Sequence, residues 1–388
     1  MKLSAEWLSL PSTRQVMDVF ANAGIEAYFV GGCVRNALIG ASASDIDIST
    51  AARPEVVTEI AERAGLQVVQ TGTSHGTVTV IVDRTPFEIT TFRKDVETDG
   101  RRAVVAFSDR LEDDARRRDF TMNAIYADAE GQVVDPLGGL QDLRARKVRF
   151  IDDPEMRIRE DYLRILRFFR FYAWYGDPSE GPDPEALAAC ASLAGGLDVI
   201  SKERLGSEVV KLLSAADPAP AIGAMESTGI LSHLIPAPDS KTLFLFMHDE
   251  RGCDPIARLA AMAGASWSEI GELLRLSNAQ TKRIMSLREA AESTWGAGEV
   301  GYRLGETDGQ AALRLRSALF EQAYSDELDT EIAKGAGATF PVSARDIMPA
   351  FEGPALGAAL KRLEKIWIES DFEADKPSLL SRISGGAE

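Results

Sequence analysis

Apolar positions fall into two regimes along the chain. In the first 150 residues, short runs and alternations dominate. Val16, Val19 and Phe20 mark one face of a helix over 12–24, with Gly24 as its stop. Ala27–Val30 reads as a short buried strand, Gly31-Gly32 as a turn, 34–39 as a helical segment and 45–49 as an alternating strand. Pro54 opens a helix over 54–64. Three strands follow at 66–70, 77–82 and 86–92, separated by Gly72–Gly76 and Asp83–Pro86. Asp95–Asp114 is polar, contains Gly100 and links the strand over 86–92 to the segment that follows. Beyond 150 the strand signals nearly vanish. Residues 155–175, 184–194, 201–215, 218–229, 255–265, 268–275, 278–294, 308–324 and 354–370 predict helices, and the tail from Ser384 is expected to fray. No internal repeat stands out. The pattern predicts an α+β chain with a mixed-sheet head over 1–150 and an all-α remainder.

The longest clean apolar stretches are about five residues, against about 20 for a membrane helix. Met1–Leu8 lacks the apolar core of a signal peptide. A cytoplasmic protein without a membrane span is expected. Three scattered cysteines and three histidines argue against a disulfide framework, a zinc site or a histidine-built metal centre. The net charge of −17 alone argues against a nucleic-acid partner. The charge is uneven, however. Residues 100–170 hold 15 Lys and Arg against 14 Asp and Glu, a net of +1, while the rest of the chain carries −18. Arg101-Arg102, Arg116-Arg117-Arg118 and the series Arg157, Arg159, Arg164, Arg167, Arg170 place an arginine-rich site in an acidic body.

Two segments carry candidate chemistry. A strand running into Gly31-Gly32 and then a helix lets backbone N–H groups approach a phosphate, and Arg35 in the first turn can add a charge-assisted contact. Asp45 and Asp47, two apart on a strand, present both carboxylates on one face, with Ile46 and Ile48 on the other. Adjacent carboxylates repel, and a divalent cation relieves that cost. Oxygen ligands of this kind suit Mg²⁺, which keeps several waters and shares substrate phosphates. A solvated strand edge is the competing account. No Gly-Lys-Ser/Thr phosphate loop is present.

Taken together, the Gly-Gly turn, short helix and Asp-x-Asp strand resemble the nucleotidyltransferase superfamily of the DNA polymerase β type. That superfamily carries a third carboxylate on a later strand. Glu88, between Phe87 and Ile89, fits it. Arg117-Arg118-Asp119-Phe120-Thr121-Met122-Asn123-Ala124 resembles the ribose-recognition motif of the class II tRNA nucleotidyltransferases, the CCA-adding enzymes, which share a fold with bacterial poly(A) polymerases. There the Asp119 carboxylate would accept from a ribose 2′-hydroxyl and Arg118 would bind phosphate. Val134–Leu143 resembles the hinge of that family, and Glu160-Asp161-Tyr162-Leu163-Arg164-Ile165-Leu166-Arg167 resembles its base-reading motif, with Asp161 and Arg164 on the base edge. Arg167 and Arg170 continue that series toward the nucleotide. Local Glu160–Arg164 pairing at i, i+4 is the alternative for this segment. The resemblance is specific over about 25–175, weaker through 200–236, and absent beyond 240. Asn36 stands where the family commonly has Asp, which is expected to tune the site without inactivating it.

The resemblance implies a catalytic head over 1–150, a helical neck over 151–238 with the base-reading helix, and a tRNA-binding body and tail over 239–388. It implies transfer of CMP and AMP from CTP and ATP to the tRNA 3′ end, with Mg²⁺ at Asp45 and Asp47 and no protein partner. A poly(A) polymerase or A-only enzyme is the alternative, though the acidic balance suits long generic RNA poorly. A non-catalytic RNA- or nucleotide-binding scaffold is the reading from a different class.

Overall fold

The computed structural model describes residues 1–42, 45–72, 76–99, 102–348 and 350–384. Ser44, His75, Gly100 and the residues after Ser384 lie outside the described residues. Two compact units form, Met1–His233 and Leu234–Glu388.

Among the described residues all named strands lie in the first unit: β1 (Ala27–Val30), β2 (Asp47–Thr50), β3 (Gln67–Gly72), β4 (Thr77–Val82), β5 (Thr85–Thr91), β6 (Arg93–Asp99), β7 (Arg102–Phe107), β8 (Tyr126–Ala127) and β9 (Val133–Val134). Seven form one sheet in the order β3-β4-β5-β2-β1-β8-β9. Only β2 and β5 run parallel; the other neighbours are antiparallel. The mixed sheet is as expected. The helices of this unit include α1 (Pro11–Asn22), α2 (Gly32–Leu38), α3 (Pro54–Arg63), α4 (Leu111–Arg116), α5 (Gly139–Arg144), α6 (Pro154–Glu160), α7 (Leu163–Tyr175), α8 (Pro184–Ser192), α9 (Lys202–Leu213) and α10 (Ala219–Ser227).

Side-chain alternation gives the sheet two chemical faces. Phe29, Ile48, Val78, Val80, Phe87 and Ile89 are buried on the face where α1 and α3 pack, against Val16, Phe20, Val57 and Ile60 of those helices. Asp47, Ser49, Glu88 and Thr90 point the other way. The carboxylate face is therefore left for α7 and the arginine-rich segment. A cluster of phenylalanines holds α7 there: Phe120 lies 4.9 Å from both Phe150 and Phe171, and Phe150 stacks on Phe168 at 5.7 Å.

Four expectations need correction. The strand expected over 45–49 begins at Asp47, so Asp45 precedes it. The helix expected over 155–175 is two helices, broken at Asp161-Tyr162. Asp161 is extended (φ −155°, ψ 104°) and its Oδ1 accepts from Leu163 N at 3.1 Å, while a Cβ at Gly196 would meet the Tyr162 ring at 1.9 Å. A local cap and a ring seated on glycine override the 3.6-residue period. The polar connection over 95–114 contains a two-stranded antiparallel ribbon, β6–β7, before α4. In the second unit, the helix expected over 308–324 extends across Ala297–Leu319, with a kink at Gly305 (φ 79°).

Among the described residues, every named element of the second unit is a helix. Its outer core gathers around Trp367, with Tyr302, Phe340 and Phe372 rings at 5.4, 5.5 and 5.0 Å. Among the described residues no helix is long and apolar enough to cross a membrane.

Candidate active site

Strand register sets the carboxylates. Asp47 and Glu88 are direct partners on the parallel strands β2 and β5, so both side chains emerge on one face about 5 Å apart. The alternation around Glu88 thus pointed to the correct face. Asp45 leaves the chain just before β2 and lines the same cavity as Asp47. Burial, then the neighbouring Glu88 carboxylate, push the Asp47 carboxyl above its usual range; Arg118 partly offsets this and Asp45 adds to it. The Asp47 carboxylate thus stands beside like charge. Among the described residues no three carboxylate, imidazole or thiolate groups converge as a closed metal cage. Two carboxylates with an open side are instead the donor set of a hard cation that retains water and shares substrate oxygens. The residues fit such an ion.

The cavity, of about 420 Å³, is lined by Gly32, Arg35, Asn36 and Ser42 on one side and by Arg170, Trp174, Tyr175 and Lys211 on another. Gly31 begins the turn with φ 74°, a conformation that glycine adopts without strain. A Cβ there would stand 3.5 Å from Arg118 Nη1. The turn thus lies directly against that guanidinium.

Each arginine of the sequence-read set is held by an acceptor. Arg118 donates to Asp114 Oδ2 at 3.1 Å, Tyr126 Oη at 3.2 Å and Ser49 Oγ at 3.4 Å. Asp114 is fully buried; burial alone would raise its pKa, but Arg118 and Arg117 hold it at about 2. Arg35 is buried. It donates to Asn36, to Asn123 and, at 2.7 Å, to Tyr175 Oη, and its guanidinium lies 4.1 Å from the Tyr175 ring centre. Arg170 Nε donates to Glu208 at 2.6 Å.

Asp119 is the hub. Its Oδ1 accepts from Phe120 N at 2.9 Å and Asn123 Nδ2 at 2.8 Å, and its Oδ2 from Arg167 Nε at 2.8 Å and from Arg167 Nη2. Burial raises its pKa, and Arg167 with these donors outweighs burial, holding it at about 2. Four bonds fill the acceptor capacity of a carboxylate. Through Asn123 the same network reaches Arg35, so the Gly-Gly helix, the Arg118-Asp119 turn and α7 are one connected polar assembly.

Asp161 and Arg164 sit at the junction of α6 and α7. Asp161 Oδ2 accepts from Arg204 at 2.6 Å. Arg164 Nη1 pairs with Glu160, as the local alternative expected, and also donates to the Arg157 carbonyl at 2.7 Å. Because Asp161 lies at the break and Arg164 on α7, no single helical period relates the two side chains. Asp161 has two acceptor sites remaining, and Arg164 retains its Nε and Nη2 donors among the bonds described.

Sequence reasoning missed Tyr175, Trp174, Lys211 and Asp114, and it named Arg157 only as one of the arginine series. Buried Arg157 donates to the carbonyls of Arg117 and Arg118 at 2.5 and 2.6 Å, fixing that turn on α6. For Trp174 and Tyr175 a signal existed. At about 100° per residue both continue the face of Arg164, Arg167 and Phe171.

Comparison with known proteins follows these elements. Residues 27–149 match the poly(A) polymerase head domain, and residues 182–241 match a probable RNA- and SrmB-binding site of polymerase A. The human mitochondrial CCA tRNA nucleotidyltransferase 1 is 32% identical over 99% of this chain and 93% of its own length. The CCA-adding enzyme of Levilactobacillus brevis is 32% identical, covering 96% of each. Among solved structures, the Bacillus stearothermophilus CCA-adding enzyme in complex with CTP superposes with a TM-score of 0.78 at 27% identity, over 96% of this chain and 97% of that one. At 32% identity over nearly the full length of both chains, this chain belongs to the family of CCA-adding tRNA nucleotidyltransferases.

Proposed function

We propose that this chain adds CMP and AMP, taken from CTP and ATP, to the 3′ end of tRNA. The observation that carries the chemistry is the register of Asp47 opposite Glu88, with Asp45 on the same cavity. Three carboxylates beside a cationic wall suit transfer of a nucleotidyl group from a triphosphate to a hydroxyl. Asp45 and Asp47 hold Mg²⁺ in this reading, and Glu88 adds negative charge beside them. The bound metal would lower the pKa of the RNA 3′-hydroxyl and neutralise the leaving pyrophosphate. Arg118, stationed by Asp114 against Gly31, supplies positive charge to the triphosphate.

Asp119 and Arg167 act as one unit. A ribose 2′-hydroxyl reaches Asp119 only by displacing one of its four donors, so its main work is to station Arg167 and, through Asn123, Arg35. Arg35 and Arg170, each held by an internal acceptor, stiffen the cavity wall and contribute field there.

Base choice falls to Asp161 and Arg164. Cytosine and adenine each present an amino donor beside a ring-nitrogen acceptor. An acceptor-only Asp and a donor-only Arg match that edge and mismatch guanine and uracil. The pairing of Arg164 with Glu160 and the Arg157 carbonyl leaves donors for this and limits its freedom before substrate arrives. The helical body and tail over 239–388 would grip tRNA. A cytoplasmic reaction is part of the reading; curated relatives include mitochondrial enzymes.

The test is incorporation into a tRNA lacking its 3′ CCA, with each nucleotide labelled in turn. Mg²⁺-dependent incorporation of CTP and ATP, with rejection of GTP and UTP, is expected. No incorporation by folded protein would favour the scaffold reading.

A further inference from the structure

On the far wall of the catalytic cavity stand two residues to which the nucleotide chemistry above assigns no role. Trp174, in the last turn of α7, is 47% exposed despite being the largest kind of apolar side chain. Its ring is nevertheless fixed, because Nε1 donates to the Lys211 carbonyl at 2.8 Å. Lys211 itself, on α9, has a side chain 57% exposed, and among the described residues its ammonium makes a long 3.8 Å approach to Glu208. Both line the cavity that contains Asp45 and Asp47.

A fixed, half-exposed indole beside a loosely held ammonium is the pairing that proteins use to bind single-stranded nucleic acid. The ring takes a base face and the cation takes a phosphate. Its place decides which nucleotide. Arg164, on the base-reading side, lies ten residues earlier on α7, about 15 Å along the axis. That is too far for one base to touch both ends. An in-line displacement also requires the attacking hydroxyl and the leaving pyrophosphate to lie on opposite sides of the reacting phosphorus.

We propose that Trp174 and Lys211 form the docking site for the 3′-terminal nucleotide of the RNA acceptor. Trp174 stacks its base and Lys211 binds the phosphate on its 5′ side, which delivers the 3′-hydroxyl to Asp45 and Asp47. The inference rests on the nucleotidyl-transfer reading above. Stacking tolerates any base, so the same ledge accepts the acceptor end after each addition, whichever nucleotide now terminates it.

The test compares wild type with Trp174→Ala, Trp174→Phe and Lys211→Ala, using tRNA lacking its CCA. Trp174→Ala should raise the KM for tRNA at least about fivefold and leave the KM for CTP within about twofold. Trp174→Phe should restore most of the loss. Lys211→Ala should weaken tRNA binding and make its logarithmic salt dependence shallower by about 0.7. Binding without CTP, followed by tryptophan fluorescence, should show a quench in wild type that Trp174→Phe loses. This arm needs no turnover. A wild type that binds tRNA with the quench but transfers nothing would defeat the functional reading alone. An active wild type whose Trp174→Ala variant keeps its KM for tRNA, or raises only that for CTP, would overturn the docking site.

Discussion

The ion pair between Asp119 and Arg167 offers the sharpest energetic test of how this site is built. Both groups are largely buried, at 8% and 32% side-chain exposure. Asp119 drops from the ordinary 3.8 to about 2, and at 1.36 kcal/mol per pKa unit that difference is about 2–3 kcal/mol of folding stability. Asp119→Asn keeps the shape and one carbonyl acceptor but leaves the Arg167 guanidinium without its counter-charge. Loss of about 2–3 kcal/mol in a unit of this size lowers the melting temperature by roughly 4–12 °C. Arg167→Met should cost a comparable amount. The double variant should be markedly less destabilised than the sum, because an isolated buried charge is the costly species. Denaturant melts of the four proteins give the coupling energy, expected above about 1 kcal/mol. Additive effects within about 0.5 kcal/mol would refute the view that Asp119 stations Arg167. With the fold intact, Asp119→Asn should also impair nucleotide addition while changing ribose selection little. A variant that stays stable and accepts dCTP freely would return Asp119 to the direct ribose contact.

Asp47→Asn should abolish addition, by at least about a hundredfold, yet raise the melting temperature of metal-free protein. The raised Asp47 carboxyl means its charge opposes folding once ionised, so the gain should be present at pH 7 and fade as pH falls through that pKa. Thermal melts across pH check the sign. Asp114 and Asp119, both near 2, contribute stability that is full above about pH 4 and lost as pH falls toward 2. Near-ultraviolet circular dichroism of the phenylalanine- and tyrosine-rich joint should hold to pH 4 and decay below. Asp161→Ala should admit UTP or GTP, since mismatched buried polar groups cost about 1–3 kcal/mol each, while Arg164→Ala should mainly lower CTP and ATP use; competition assays measure both. Glu88→Gln should reduce transfer rate more than nucleotide affinity, seen as a fall in kcat at near-constant KM.

Much of the head was legible because its signals are local. Phe87 and Ile89 fixed the face of Glu88 by alternation alone, and Gly31 announced a positive-φ turn. The parallel pairing that sets Asp47 opposite Glu88 is a tertiary fact; the resemblance offered a third carboxylate on a later strand, but not this register, and periodicity could offer neither. The break at Asp161-Tyr162 escaped because a 100° count registers neither a carboxylate capping Leu163 nor a ring seated on Gly196 from a later turn. The β6–β7 ribbon was hidden by Asp95, Glu97 and Asp99 on one strand, whose charges read as a loop. The arginines were found as a series, but not their acceptors. Asp114 and Asp119 stand in one segment and Glu208 far along the chain on α9, and Lys211 meets Trp174 only when α9 packs on α7.

The central claim is that this site builds a defined trinucleotide and stops. Purified protein, tRNA lacking its 3′ CCA, both CTP and ATP, and Mg²⁺ should give one product, three nucleotides longer, whose sequence reads C, C, A. A lengthening ladder of A, or a single A added only to tRNA already ending in CC, would contradict it.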